Sequence, residues 1–269
     1  MEVEDLEIEL LLEGIWRRYG YDLREYDRRY IRRRIQTRLQ EEGLETTSQL
    51  QERVLRHAAS LDALLDGEDG SFDTFCRPAK VWKALRRKAV PALRTYASVR
   101  AWSVRNSSEG PLYSLLLLLH EELSRPFTVY ATELREHRIG RVRAGTFPRK
   151  RLQSLEKAFA SAGGRRPLAE YLDDSRGEPR LQPEVQRRVV FASHNPATDA
   201  SFNEFHLILA GQAMQGYSDT LRARAQRLID ESLVRFGFLV LGPGEAPAGT
   251  SGRYRALDRG AGLFQKVAD

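Results

Sequence analysis

Residues 99–119 constrain this chain more tightly than any other stretch. Ala101-Trp-Ser103 closes an apolar run, small and polar residues lead to Gly110-Pro111, and the unbroken leucines Leu115–Leu119 follow. An extended segment, a tight loop and a helix N-terminus in that order open a βαβ unit. The loop's backbone N–H groups and the positive end of the helix dipole can hold a ribose or a phosphate, which requires small residues close to the ligand. The leucine run is far shorter than the roughly 20 apolar residues that span a bilayer. The helix is therefore expected inside a protein core, with no insertion into a membrane.

The same alternation continues downstream. Spacing predicts helices over 78–95, 111–124, 136–143, 149–162 and 220–236, and strands over 98–103, 126–132, 205–209 and 237–241, before a C-terminal hairpin ending near 263–267. Interleaved helices and strands imply a mostly parallel sheet with right-handed crossovers. Residues from about 165 to 192, with turn signals at Asp173–Gly177, read as a small β insertion leading into the strand Val189–Phe191. An open sheet binds ligands beyond the carboxyl ends of its strands, so 103–110, 132–135, 193–196 and 210–216 are expected to converge.

Residues 1–68 read differently, as an all-helical domain. Ile8, Leu11, Leu12 and Ile15 form one apolar stripe that ends at Gly20. A second helix, from about Tyr26 to Glu42, presents Tyr30, Ile31, Ile35 and Leu39 and stops at Gly43. Its other face carries Arg28, Arg29, Arg32 and Arg33. Thr46 with Gln49 has the spacing of a capping box, a short Leu61–Leu65 helix follows, and Gly67-Glu-Asp-Gly70 reads as a linker into an α/β domain over 69–269.

The net charge of +6 arises from 37 Arg against 6 Lys, spread along the chain. That imbalance allows an acidic partner without identifying one; an excess of Arg over Lys also follows from genome composition, which leaves nucleic-acid binding through scattered Arg a minority reading. Cys76 stands alone, which excludes an intramolecular disulfide and any cysteine-rich zinc site, and none of the 5 His has metal-ligand spacing. No metal is expected. Met-Glu-Val-Glu-Asp5 is acidic where a secretion signal would be basic, so a cytoplasmic location is expected.

Several segments resemble the CheR family of chemoreceptor glutamate methyltransferases. Trp102, Ser103, Ser107, Tyr113 and Ser114 match the family pattern W-S-A-x-x-S-T-G-E-E-P-Y-S, while Glu109, Gly110 and Pro111 stand where it has glycine and glutamates. Ser71-Phe-Asp-Thr-Phe-Cys-Arg77 is similar to N-x-T-x-F-F-R, keeping Phe75 and Arg77. Ala131-Thr-Glu-Leu-Arg135 is similar to A-T-D-I-D, Arg143–Pro148 to A-R-x-G-x-Y-P, and Phe191–Asn195 to F-x-x-x-N. Leu209–Tyr217 departs furthest from its counterpart F-C-R-N-V-x-I-Y-F, with Gly211, Gln212 and Gly216 replacing Arg, Asn and Tyr.

The resemblance implies a Rossmann-like methyltransferase domain that binds S-adenosylmethionine, preceded by the helical domain, acting in chemotaxis signalling. It assigns Arg77 beside the reactive methyl group, Glu133 to the ribose hydroxyls, and Asn195 to the adenine side. Ser71, Asp73, Glu109, Gly110, Pro196 and Gln212 complete the implied cofactor site. The basic face of Arg28, Arg29, Arg32 and Arg33 would meet an acidic, glutamate-rich helix of a chemoreceptor or related signalling protein. Structural alternatives stay open at each point. Arg77 can instead pair with Asp73 or Glu133, the basic face can be a solvated one, and Glu109 can block the loop with strain if it needs a positive φ. A loop shifted by one residue would put Gly110 in the glycine's place and leave Glu109 to bind an ammonium. Eroded polar positions also allow a non-catalytic interaction module.

Overall fold

The computed structural model describes residues 2–66, 74–104, 109–133, 136–175, 177–196, 199–201, 203–211, 213–242, 244–247 and 252–268. The linker at 67–70 lies outside them. Two compact units divide the chain, Met1–Asp69 with Gln215–Arg222, and Gly70–Met214 with Ala223–Asp269.

The first unit contains α1 (Val3–Tyr19), α2 (Arg28–Glu42), α3 (Thr47–Arg56) and α4 (Ala58–Asp66). Ile8, Leu11, Leu12 and Ile15 of α1 are buried at the spacing that puts one face of a helix on its neighbours. Gly20 and Gly43 end α1 and α2 in the left-handed conformation, and Thr46 and Gln49 close a reciprocal capping box on α3. The 215–222 segment joins this unit at Tyr217, which sits edge-on to Tyr26 at 5.2 Å, and at Gly216, whose carbonyl accepts from the Asp27 N–H at 3.0 Å. Gly216 has φ +79°, and a Cβ there would strike the ring of Tyr30. A side chain at 216 would thus be strained and would displace the Tyr30 ring.

The second unit is built on β1 (Val99–Ser103), β2 (Phe127–Thr132), β5 (Val189–Ala192), β6 (Phe205–Leu209), β7 (Leu233–Val240), β8 (Tyr254–Asp258) and β9 (Leu263–Lys266). A separate two-stranded ribbon pairs β3 (Leu172–Asp173) with β4 (Arg180–Leu181). The large sheet runs β5-β2-β1-β6-β7-β9-β8, parallel from β5 through β7 and antiparallel at β9 and β8. Helices α5 (Ala79–Ala84), α6 (Val90–Leu93), α7 (Glu109–Glu122), α8 (Glu136–Arg143), α9 (Leu152–Ser161), α10 (Pro183–Gln186) and α11 (Asp219–Ser232) complete the chain.

Leu115–Leu119 are all buried in α7, as their run implies. Each contributes on the order of 1.5–3 kcal/mol of hydrophobic burial. Two readings need correction. The helix predicted over 220–236 ends at Ser232 because Leu233 already pairs with Phe205 in the sheet. The helix predicted over 78–95 is divided by a π-turn at Leu85–Ala89. Among the described residues, no helix is long and apolar enough to cross a membrane.

Candidate active site

Chain order reverses beside β1, which lies between β2 and β6, so the carboxyl ends of β5, β2, β1 and β6 meet along one edge. Such a switch point leaves a crevice between diverging loops. Three backbone hydrogen bonds knit the strand ends: Val104 N–H to Leu209 O at 3.0 Å, Ala210 N–H to Val240 O at 2.9 Å, and Glu133 N–H to Ala192 O at 3.2 Å. Ser107 and Gln212 fall outside the described residues, as do Ser71 and Asp73.

Glu133 directly follows β2 and is buried. Glu109 begins α7 and is also buried, in ordinary helical backbone rather than at positive φ. The strain weighed for it is thus not incurred. Its Oε1 accepts from Arg141 at 3.3 Å, and its Oε2 is buried with no hydrogen-bond partner among the described residues. A carboxylate in the first turn is favoured by the helix dipole. Burial, followed by the charge of Glu109, pushes the Tyr113 phenol up, so it stays protonated and donates to Val142 O at 2.9 Å.

The glycine requirement has moved to position 110. A Cβ on Gly110 would lie 2.6 Å from the backbone nitrogen of Phe75 and 2.8 Å from the Thr74 hydroxyl. The 74–77 segment is thereby seated on the first turn of α7. Phe75 is fully buried against Phe147 and Phe159, at 5.7 and 6.4 Å between centroids. Cys76, at φ +53°, donates its N–H to Ser114 Oγ at 2.7 Å, and that hydroxyl donates to Gly110 O at 2.6 Å. Arg77 N–H closes the turn on Thr74 O at 3.0 Å. Burial pushes the Cys76 thiol up to about 12, leaving it a thiol at neutral pH. Arg77 itself is exposed, and among the described residues no carboxylate, Glu133 included, lies within ion-pair distance of it.

Comparison with known proteins decides the family. Residues 6–67 match the CheR methyltransferase all-alpha domain and residues 72–259 the CheR methyltransferase SAM-binding domain. The chain belongs to the CheR methyltransferase family. It is 34% identical over 265 residues to a Pseudomonas putida protein named "Putative methyltransferase Cher3", covering 97% of each chain. Among solved structures, the glycopeptide N-methyltransferase MtfA with S-adenosylmethionine is 15% identical over 59% of this chain and 48% of that one, with a TM-score of 0.34. A Geobacter sulfurreducens methyltransferase with S-adenosylhomocysteine is 12% identical over 69% and 56%, also at 0.34. Both are too distant to inform individual residues.

This CheR chain is thus a methyltransferase dependent on S-adenosylmethionine. Its residues fit that cofactor: a buried carboxylate ends β2, and the orphaned oxygen of Glu109 suits an ammonium group. Asn195 donates its N–H to Asp199 at 2.8 Å, its carbonyl accepts from the Asp199 N–H at 2.9 Å, and Pro196 is buried. His194 turns inward, bonded to Ala200 O at 3.1 Å and edge-on to Trp102. In the helical unit the basic face is not uniform. Arg28 pairs with Glu9 at 3.0 Å and Arg32 with Asp5 at 2.5 Å, whereas Arg29 and Arg33 are exposed with no ion pair among the described residues. Arg141 and the Ser114 relay escaped sequence reading. Ser114 was visible as a motif match, but Arg141 carried no local signal.

Proposed function

We propose that this CheR methyltransferase esterifies glutamate carboxylates on a chemoreceptor or related signalling protein. S-adenosylmethionine, when bound, supplies an electrophilic methyl group. Glu133 would accept from its ribose hydroxyls, Glu109 would hold its ammonium, and Asn195 with Pro196 would border the adenine. Arg77 would present two parallel donors to the incoming carboxylate. One carboxylate oxygen then forms a bond to the methyl carbon as the carbon–sulfur bond breaks, giving a methyl ester and a neutral thioether. No proton moves. The protein's contribution is orientation and charge.

The observation that carries this reading is the exposed Arg77, which pairs with no carboxylate among the described residues and is fixed to the first turn of α7 through Cys76, Ser114 and Gly110. Ser71, Asp73 and Gln212 join the proposed cofactor site on the resemblance alone. Arg29 and Arg33 are the better candidates for docking an acidic helix, since Arg28 and Arg32 are already paired within their own unit. Glycines at 211 and 216, where the family pattern has Arg and Tyr, favour weakened turnover, and in the limit a signalling module that no longer transfers methyl groups.

Titration calorimetry with S-adenosylmethionine separates these readings. Micromolar binding, with Arg77→Ala abolishing methyl transfer to a glutamate-bearing receptor helix while leaving affinity nearly unchanged, is the expected result. Full turnover in the Arg77 variant would remove its role, and absence of heat at millimolar cofactor would leave only the interaction module.

A further inference from the structure

Trp102 is fully buried near the end of β1, and its contacts reach the next two strand ends in the sheet. Its indole N–H donates to Thr132 Oγ1 at 2.9 Å, and its ring meets the His194 ring edge-on with centroids 5.4 Å apart. Phe205 stacks on it at 5.2 Å. Thr132 is the last residue of β2, is fully buried, and immediately precedes Glu133, whose own N–H is bonded to the end of β5. One indole thus links β1 to the residue from which the proposed ribose carboxylate departs, and braces the loop that carries Asn195. Trp102 pairs with Tyr130 in the strand register, two residues short of Thr132. Only a long aromatic donor spans that offset; phenylalanine would fill the space without the bond.

We propose that Trp102 is a positioning residue for cofactor binding: through Thr132 it fixes the backbone from which Glu133 reaches the ribose. The role rests on the assignment of Glu133 to the ribose hydroxyls made above. A β-branched side chain held by a buried hydrogen bond has one χ1 state instead of several. The backbone that Glu133 continues is thereby tied to β1 and β5, so binding has less of it to order.

Calorimetry with S-adenosylhomocysteine on the full chain, with thermal denaturation of each variant, tests this. Trp102→Phe and Thr132→Val are each expected to weaken binding about fivefold, the worth of one neutral hydrogen bond. Thr132→Ser keeps the acceptor and is expected to bind like the parent. Glu133→Ala is expected to lose at least about tenfold, and Trp102→Phe combined with Glu133→Ala to bind no more weakly than Glu133→Ala alone. Multiplying losses in the double variant, or parental affinity in both Trp102→Phe and Thr132→Val, would overturn the positioning role while leaving the ribose assignment standing. Parental affinity in Glu133→Ala would instead remove that assignment, and the positioning role with it. Should Trp102→Phe fail to fold, the contrast between Thr132→Val and Thr132→Ser decides alone.

Discussion

The two ends of α7 carry acids in opposite circumstances. At its start, Glu109 has among the described residues one partner, the half-exposed Arg141 at 3.3 Å, and an oxygen left unbonded. At its end, Glu122 receives Arg86 at 2.6 Å, Arg165 at 2.7 Å and Arg94, while Glu121 receives the Tyr171 hydroxyl at 2.6 Å, the Arg165 N–H at 2.9 Å and Arg86. The helix dipole accounts for the contrast. Carboxylates at the negative end are disfavoured and need guanidinium groups around them, whereas one at the positive end stands with a single weak partner. The saturated end ties α7 to its neighbours, and the unsaturated end carries the acid to which the proposed ammonium contact is assigned.

The largest expected effect lies at the saturated end. Glu122→Ala should cost about 3 kcal/mol in denaturant unfolding, because the buried acid takes charged hydrogen bonds from Arg86, Arg94 and Arg165 and only Arg86 keeps another carboxylate, Glu121. A loss under about 1 kcal/mol would mean that the network is as weak as a surface pair. Next comes Gly110→Ala, whose Cβ has no room against Phe75; about 2 kcal/mol of overpacking and a fall in methyl transfer are expected together. Parental transfer by a destabilised Gly110 variant would uncouple the turn from the chemistry.

Acid titration sharpens the contrast further. Burial pushes Glu121 up, but the Tyr171 hydroxyl, the Arg165 N–H and Arg86 outweigh it and hold the carboxyl below its ordinary range. A depressed carboxylate contributes stability above its unfolded pKa, roughly 4.3, and loses it as pH falls through the folded value. Tyr171→Phe should lower stability by about 1.5 kcal/mol at neutral pH, and the deficit should shrink on acidification as Glu121 protonates. A deficit that is constant with pH would show that the hydroxyl does not act through Glu121. Smallest in stability is the near-isosteric Glu109→Gln, expected to cost about 0.5–1 kcal/mol, the worth of a carboxylate on the helix dipole, yet with clearly weaker S-adenosylmethionine binding. Unchanged affinity there would dissolve the distinction between the two ends.

Much of this architecture is legible in the sequence because it rests on local signals. The stripe of α1, the Thr46 and Gln49 capping box, the Leu115–Leu119 run and the alternation of helix and strand all survive in the fold. What escaped depends on residues far apart in the chain. Nothing local tells that Glu9 and Asp5 neutralise Arg28 and Arg32, or that Arg165 and Arg86 meet at the end of α7. Nor could spacing reveal that Gly110 leaves room for the backbone of Phe75. The end of α11 was misjudged because Leu233–Val240 is apolar enough to prolong a helix, and pairing with β6 and β9 decides otherwise.

The Ser114 hydroxyl, between the Cys76 N–H and the Gly110 carbonyl, has a bearing on how such a protein can evolve. It makes the segment ending at Arg77 and the opening turn of α7 a single mechanical part. With Arg77 and Glu109 in the roles proposed above, a lineage acquiring a new methyl acceptor by moving Arg77 would have to readjust its grip on the methyl donor in the same step.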